Sequence, residues 1–143
     1  YFQLKKKKVK KKIYYDKKTD FMAITFESEI ETYADECEGG YDIVKAEDDD
    51  RVVGYNLYNA RTSIIEFSEV TSKVKFAMFM KMYRKRKGLT QEDLFEQSHL
   101  PLATIKSLES GNTSAGIESI TKVKAILQEI DMNAVTSNVK KVG

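Results

Sequence analysis

The residues in this chain best suited to chemistry are cations and amides, not nucleophiles. Arg84, Lys85, Arg86 and Lys87 follow one another without interruption. Such groups bind phosphate and other anions through charge and N–H donors. The other eye-catching cluster is Asp48-Asp49-Asp50. Short acids cap their own backbone, so this run reads as a turn. No base, nucleophile or phosphate loop accompanies it, so the chain reads as a non-enzyme. His99 and Cys37 are the one histidine and the one cysteine. That is too few for a metal site with ligand spacing, and no metal or other cofactor is expected. His99 reads as a surface turn residue that tolerates positive φ.

Charge divides the chain into three blocks. Residues 1–18 carry nine Lys and one acid, net +8. Residues 19–72 carry three basic and fourteen acidic residues, net −11. Residues 73–143 carry twelve basic and seven acidic residues, net +5. The overall +2 conceals these unlike parts. A basic helical module suits a polyanion. An acidic middle block repels DNA, so it is expected to face elsewhere or to face a basic partner. The lysine run Lys5 to Lys12 reads as a solvated arm, with an electrostatic tether to nucleic acid or to the acidic block as the alternative. Tyr1-Phe2-Gln3 resembles the end of a cleavable tag. A lone cysteine fits a reducing, cytoplasmic setting. No apolar run reaches the roughly 18 residues of a membrane helix, and no signal peptide is read.

The cations belong to a run of short, clearly punctuated helices. A first helix over about 73–87 carries Phe76, Phe79, Met80 and Tyr83 at helical spacing, facing a core. A second row on it, Val74, Met78 and Met82, predicts a contact with the preceding sheet or a second subunit, because Met suits adaptable interfaces. A fully buried helix is the alternative. Thr90 caps a second helix, with Glu92 and Asp93 in its favourable first turn. Pro101 opens a third helix over about 101–109, and Gly111 ends it. Two such helices joined by a short turn make a helix-turn-helix. A fourth helix over about 117–130 buries Ile120, Val123, Ile126, Leu127 and Ile130. The tail 131–143 is polar with scattered Val, frayed or a dimer contact.

Three blocks stand in register here: Gly88-Leu89-Thr90-Gln91-Glu92-x-Leu94, Thr104-Ile105-x-x-Leu108-Glu109-x-Gly111, and Glu118-x-Ile120-x-Lys122-Val123-x-Ala125-Ile126. Residues 74–128 thereby resemble the Cro/C1 repressor type of helix-turn-helix domain, also called the xenobiotic-response-element family. The resemblance implies that Gln91 holds DNA phosphate and that the third helix enters the major groove. It implies an outward face of Leu102, Ala103, Lys106 and Ser107, with Asn112 and Thr113 on backbone phosphate. Lys85, Arg86 and Lys87 would add basic contacts. It assigns Arg84 to a structural ion pair with Glu109. Two residues depart from the pattern. Phe95 replaces a small residue and should splay the helix pair or turn outward. His99 replaces a turn glycine. The outward face is also poor in the bidentate donors that read bases.

Residues 13–60 read as strands. Ile13-Tyr14-Tyr15, the polar turn 16–20 and Phe21–Phe26 form a hairpin, with Met22, Ile24 and Phe26 on a buried face. Strands at Tyr33–Cys37, Tyr41–Ala46 and Val52–Tyr58 complete an antiparallel β-meander. The block Tyr15-Asp16-x-x-x-Asp20, Ile24-x-Phe26 and Gly40-Tyr41-Asp42-Ile43-Val44 through Leu57 resembles domain-of-unknown-function family 2283, which implies a small meander sheet. Asp50-Arg51 stands where that pattern has Asp-Gly, so the turn type differs. Residues 61–72 read as a linker that begins by lying on the sheet. The expected class is therefore α+β, a small antiparallel sheet domain followed by an all-α helix-turn-helix domain.

Two functions fit. One is a DNA-binding regulator, a repressor or antitoxin-like autoregulator, acting as a homodimer on a palindromic site of double-stranded DNA. The other is an interaction module whose acidic sheet captures a basic, toxin-like protein while the helix-turn-helix serves dimerisation.

Overall fold

The computed structural model describes residues 11–111 and 116–127. Five strands come first: β1 (Lys12–Asp16), β2 (Phe21–Thr25), β3 (Thr32–Cys37), β4 (Tyr41–Ala46) and β5 (Val52–Leu57). Five helices follow: α1 (Ala60–Glu66), α2 (Ser72–Arg86), α3 (Gln91–Ser98), α4 (Leu102–Ser110) and α5 (Ile117–Leu127). The fold is α+β, an antiparallel five-stranded sheet followed by helices.

The strand order is β1-β2-β5-β4-β3. The expected meander therefore needs a correction. β1–β2 is a hairpin and β3–β4–β5 is a meander, but β2 pairs with β5 rather than β3. Burial follows the observed order. β5 offers Val53, Tyr55 and Leu57 to the core and suits a central position, whereas β3 is exposed along most of its length and suits an edge. Gly54 makes the β2–β5 pairing possible, since a Cβ there would collide with the Ile24 carbonyl oxygen. Asp50 takes the left-handed conformation (φ 60°) in the β4–β5 turn, where Asp49 accepts from the Arg51 N–H at 3.2 Å.

One face of the sheet, formed by Ile13, Tyr15, Met22, Ile24, Tyr55 and Leu57, joins the helices in a continuous apolar core. α1 occupies part of the stretch read as linker. Its start is tied to the β1–β2 turn, because the Ala60 N–H donates to the Asp20 carbonyl at 2.8 Å and the Arg61 N–H to the Asp20 carboxylate. Phe67, just beyond α1, packs edge-on against Tyr55 and Tyr41 at centroid distances of 5.2 and 5.1 Å.

α2 is the axis of the molecule. The Thr71 hydroxyl caps it by accepting from the Val74 N–H at 3.3 Å. It lies against β1, α4 and α5. Both of its predicted apolar rows are used. Phe79, Met80 and Tyr83 are buried, with Phe76 partly so, and Val74, Met78 and Met82 are buried within the single chain. Burial on two faces is what a helix between a sheet and a helical layer requires.

Candidate nucleic-acid interface

The helical pair forms for local reasons. α3 begins with a reciprocal cap. The Asp93 N–H donates to the Thr90 hydroxyl at 3.0 Å, and the Thr90 N–H donates to the Asp93 carboxylate at 2.8 Å. Two orphan donors at the helix start are thereby satisfied. His99 ends α3 in the left-handed conformation (φ 61°), with its N–H on the Phe95 carbonyl at 2.8 Å. The Ser98 hydroxyl accepts from the Leu100 N–H at 3.2 Å, which fixes the turn. α4 then runs from Leu102 to Ser110 and is closed by Gly111, which is also left-handed (φ 73°) and lies so close to Val74 that a Cβ would meet it at 3.1 Å.

α4 divides cleanly between two environments. Ile105, Leu108 and Glu109 are buried, Ala103 and Lys106 are exposed, and Leu102 and Ser107 are half-buried. The residues assigned to an outward face thus sit away from the core. They offer Lys106 and Ser107 as hydrogen-bonding groups and Leu102 and Ala103 as apolar surface. Phe95 has turned outward and is 42% exposed, so it does not wedge the two helices apart.

Beneath α4 lies a buried polar network. The Arg84 guanidinium donates through Nε and Nη2 (the latter at 2.9 Å) to the Glu109 carboxylate. Its Nη1 donates to the Leu89 carbonyl at 2.7 Å. Gln91 Nε2 donates to Glu109 Oε1 at 3.2 Å. One carboxylate therefore gathers the end of α2, the start of α3 and the end of α4. Gln91 keeps a second amide hydrogen for another acceptor.

The other basic residues of the α2 end have separate tasks. Arg86 Nη1 donates to the Tyr15 hydroxyl at 3.2 Å, joining α2 to β1. Lys87 Nζ donates to the Ile126 carbonyl at 2.8 Å, joining it to the end of α5. Lys85 borders an open cleft of about 690 Å3 beside Gln91. Lys17 and Lys81 line the same cleft and were missed by sequence reasoning. The signal for Lys81 was available, because it stands one turn before Lys85 on the same helix face. Nothing local pointed to Lys17, which arrives from the β1–β2 turn. Asn112, Thr113, Ile130 and the tail 131–143 lie outside the described residues.

Two short helices joined by His99, Leu100 and Pro101, the second presenting an outer face of Leu102, Ala103, Lys106 and Ser107, define a helix-turn-helix, an architecture that binds DNA. Residues 80–132 match the helix-turn-helix family HTH_3, a family of the Cro/C1 type. No curated protein and no solved structure matches the chain. Among the described residues no helix is long and apolar enough to cross a membrane.

Proposed function

We propose that the protein is a transcriptional regulator that binds double-stranded DNA as a homodimer on a palindromic site, as a repressor or antitoxin-like autoregulator. The observation that carries this reading is the division of α4, with Ile105 and Leu108 buried and Ala103 and Lys106 exposed on the other side. A helix held this way can enter a major groove without unfolding anything. The base-facing set Leu102, Ala103, Lys106 and Ser107 holds few bidentate donors. Sequence discrimination is accordingly modest, about 1–3 kcal/mol per good base contact. Backbone contacts from Lys85 and Gln91, with Asn112 and Thr113, then dominate affinity.

The test is a binding titration on the DNA upstream of the gene and on random duplex, at several salt concentrations. Affinity should fall steeply with salt. Gln91→Ala should weaken binding to both duplexes about equally. Lys106→Ala should also relax the preference at one base pair. Absence of binding to either duplex at low salt would overturn the reading. The interaction-module reading would then gain, since the edge strand β3 is exposed along most of its length and carries Glu36, with Asp35 tied to Lys45 at 2.8 Å.

A further inference from the structure

The cleft beside Gln91 has walls from three separate parts of the chain. The end of β1 and the turn after it supply Asp16 and Lys17, α2 supplies Lys81 and Lys85, and the start of α3 supplies Gln91 and Glu92. Its floor includes Arg84, whose charge is already met by Glu109. Lys17, Lys81 and Lys85 have no carboxylate within ion-pair distance among the described residues. Asp16 holds the turn, accepting from the Thr19 hydroxyl at 2.8 Å and from the Lys18 N–H at 3.1 Å, and these bonds, then the Lys18 and Lys85 charges, hold its carboxyl below its ordinary value. Three cations from two elements therefore converge on a cleft whose acids are Asp16 and Glu92.

The wall from β1 is also fixed in place. Tyr15, next to Asp16, is buried, and its hydroxyl accepts from Arg86 at 3.2 Å while donating to Asp20 at 2.7 Å. Asp20 in turn holds the start of α1. The β1–β2 turn cannot swing away from α2 without breaking these bonds. Burial pushes the Lys81 ammonium below its ordinary value. A cation in that condition gains from an anion placed beside it.

We propose that this cleft seats a DNA backbone phosphate, clamped between Lys17 of the β1–β2 hairpin and Lys81 and Lys85 of α2, so that the sheet supplies part of the DNA-binding surface. The proposal rests on the DNA-binding reading above and adds to it a partner site outside the helix-turn-helix. The free amide hydrogen of Gln91 and the start of α3 border the same space, where oriented N–H groups favour an anion. A cleft of about 690 Å3 exceeds one phosphate and admits the sugar flanking it. The acidic strands can still face away from DNA, because the lysines at this turn precede the acidic block.

The experiment uses the full chain, with the upstream duplex and a random duplex, over a salt series. Lys17→Gln and Lys81→Met should each weaken binding to both duplexes about three- to tenfold and reduce the slope of log affinity against log salt by about 0.9. Lys81→Arg should restore the slope. Lys73→Gln, at the opposite end of α2, controls for net charge and should leave the slope as it is. A slope unchanged in Lys17→Gln and Lys81→Met, with the wild type binding normally, overturns the clamp and leaves the DNA-binding reading standing. If the wild type binds neither duplex, both fall. Calorimetry with inorganic phosphate separates the remaining source. Phosphate binding that Lys81→Met abolishes, with an unchanged DNA slope, makes the cleft a small-anion site and overturns the clamp.

Discussion

Replacing Glu109 with glutamine removes one charge from the centre of the helical layer and leaves its shape intact. The Glu109 and Arg84 side chains are 4% and 9% exposed. Their attraction offsets the cost of taking two ions out of water, and neither ion bears that cost alone. In Glu109→Gln the guanidinium stays buried with the Leu89 carbonyl and one amide oxygen as acceptors. Breaking a buried pair costs roughly 3–5 kcal/mol, and these surviving acceptors favour the low end, about 3. At about 3–4 °C per kcal/mol for a chain of this size, the melting temperature should fall by roughly 10 °C. Arg84→Met should cost about as much, since the carboxylate would keep only the Gln91 amide as donor. The double variant Arg84→Met with Glu109→Leu should lose less than either single, because no unpaired ion remains. Urea unfolding of the full chain measures all three. Single variants costing under about 1 kcal/mol, or a double variant as damaging as the sum of the singles, would refute the reasoning.

Gly54→Ala should cost about 3 kcal/mol in urea unfolding, because the added methyl meets the backbone of β2 and not a movable side chain. The Thr90 backbone N–H, and then its hydroxyl, hold the Asp93 carboxyl below the ordinary value of 3.8. A carboxyl lowered in the folded state adds stability that is complete above the unfolded value and disappears as pH falls through the folded value. The wild type should therefore lose more of its urea midpoint than Asp93→Asn between about pH 6 and about pH 3, and equal losses would count against the capping box. The salt series on Gln91→Ala and Lys106→Ala, and that on Lys17→Gln and Lys81→Met, complete the set.

The legible parts of the sequence were those set by local rules. Thr90 with Asp93, Pro101 and Gly111 punctuate α3 and α4 by capping chemistry that acts over one turn. The alternation of Met22 with Ile24, and of Val53 with Tyr55 and Leu57, marks strands with one buried face. What sequence could not give was the pairing of β2 with β5, which depends on Gly54 admitting a close backbone approach across the sheet. α1 escaped for a different reason, being seven residues long with no side-chain cap.

The cleft was hidden by the same kind of gap. Lys17 and Lys81 are far apart in the chain, and although Lys81 shares a helix face with Lys85, nothing local joins Lys17 to either. They line one cleft because Tyr15 is drawn into the core by its place opposite Met22, and because Arg86 then bonds the Tyr15 hydroxyl. An apolar register on a strand thus decides where a turn lysine stands relative to a helix. The net −11 of residues 19–72 would repel phosphate, yet the hairpin turn just before this block brings Lys17 to the cleft beside α2. A protein organised this way would use repulsion and attraction together to fix one orientation on a duplex. Like charges opposed across an interface penalise the wrong pose, and the clamp supports the right one.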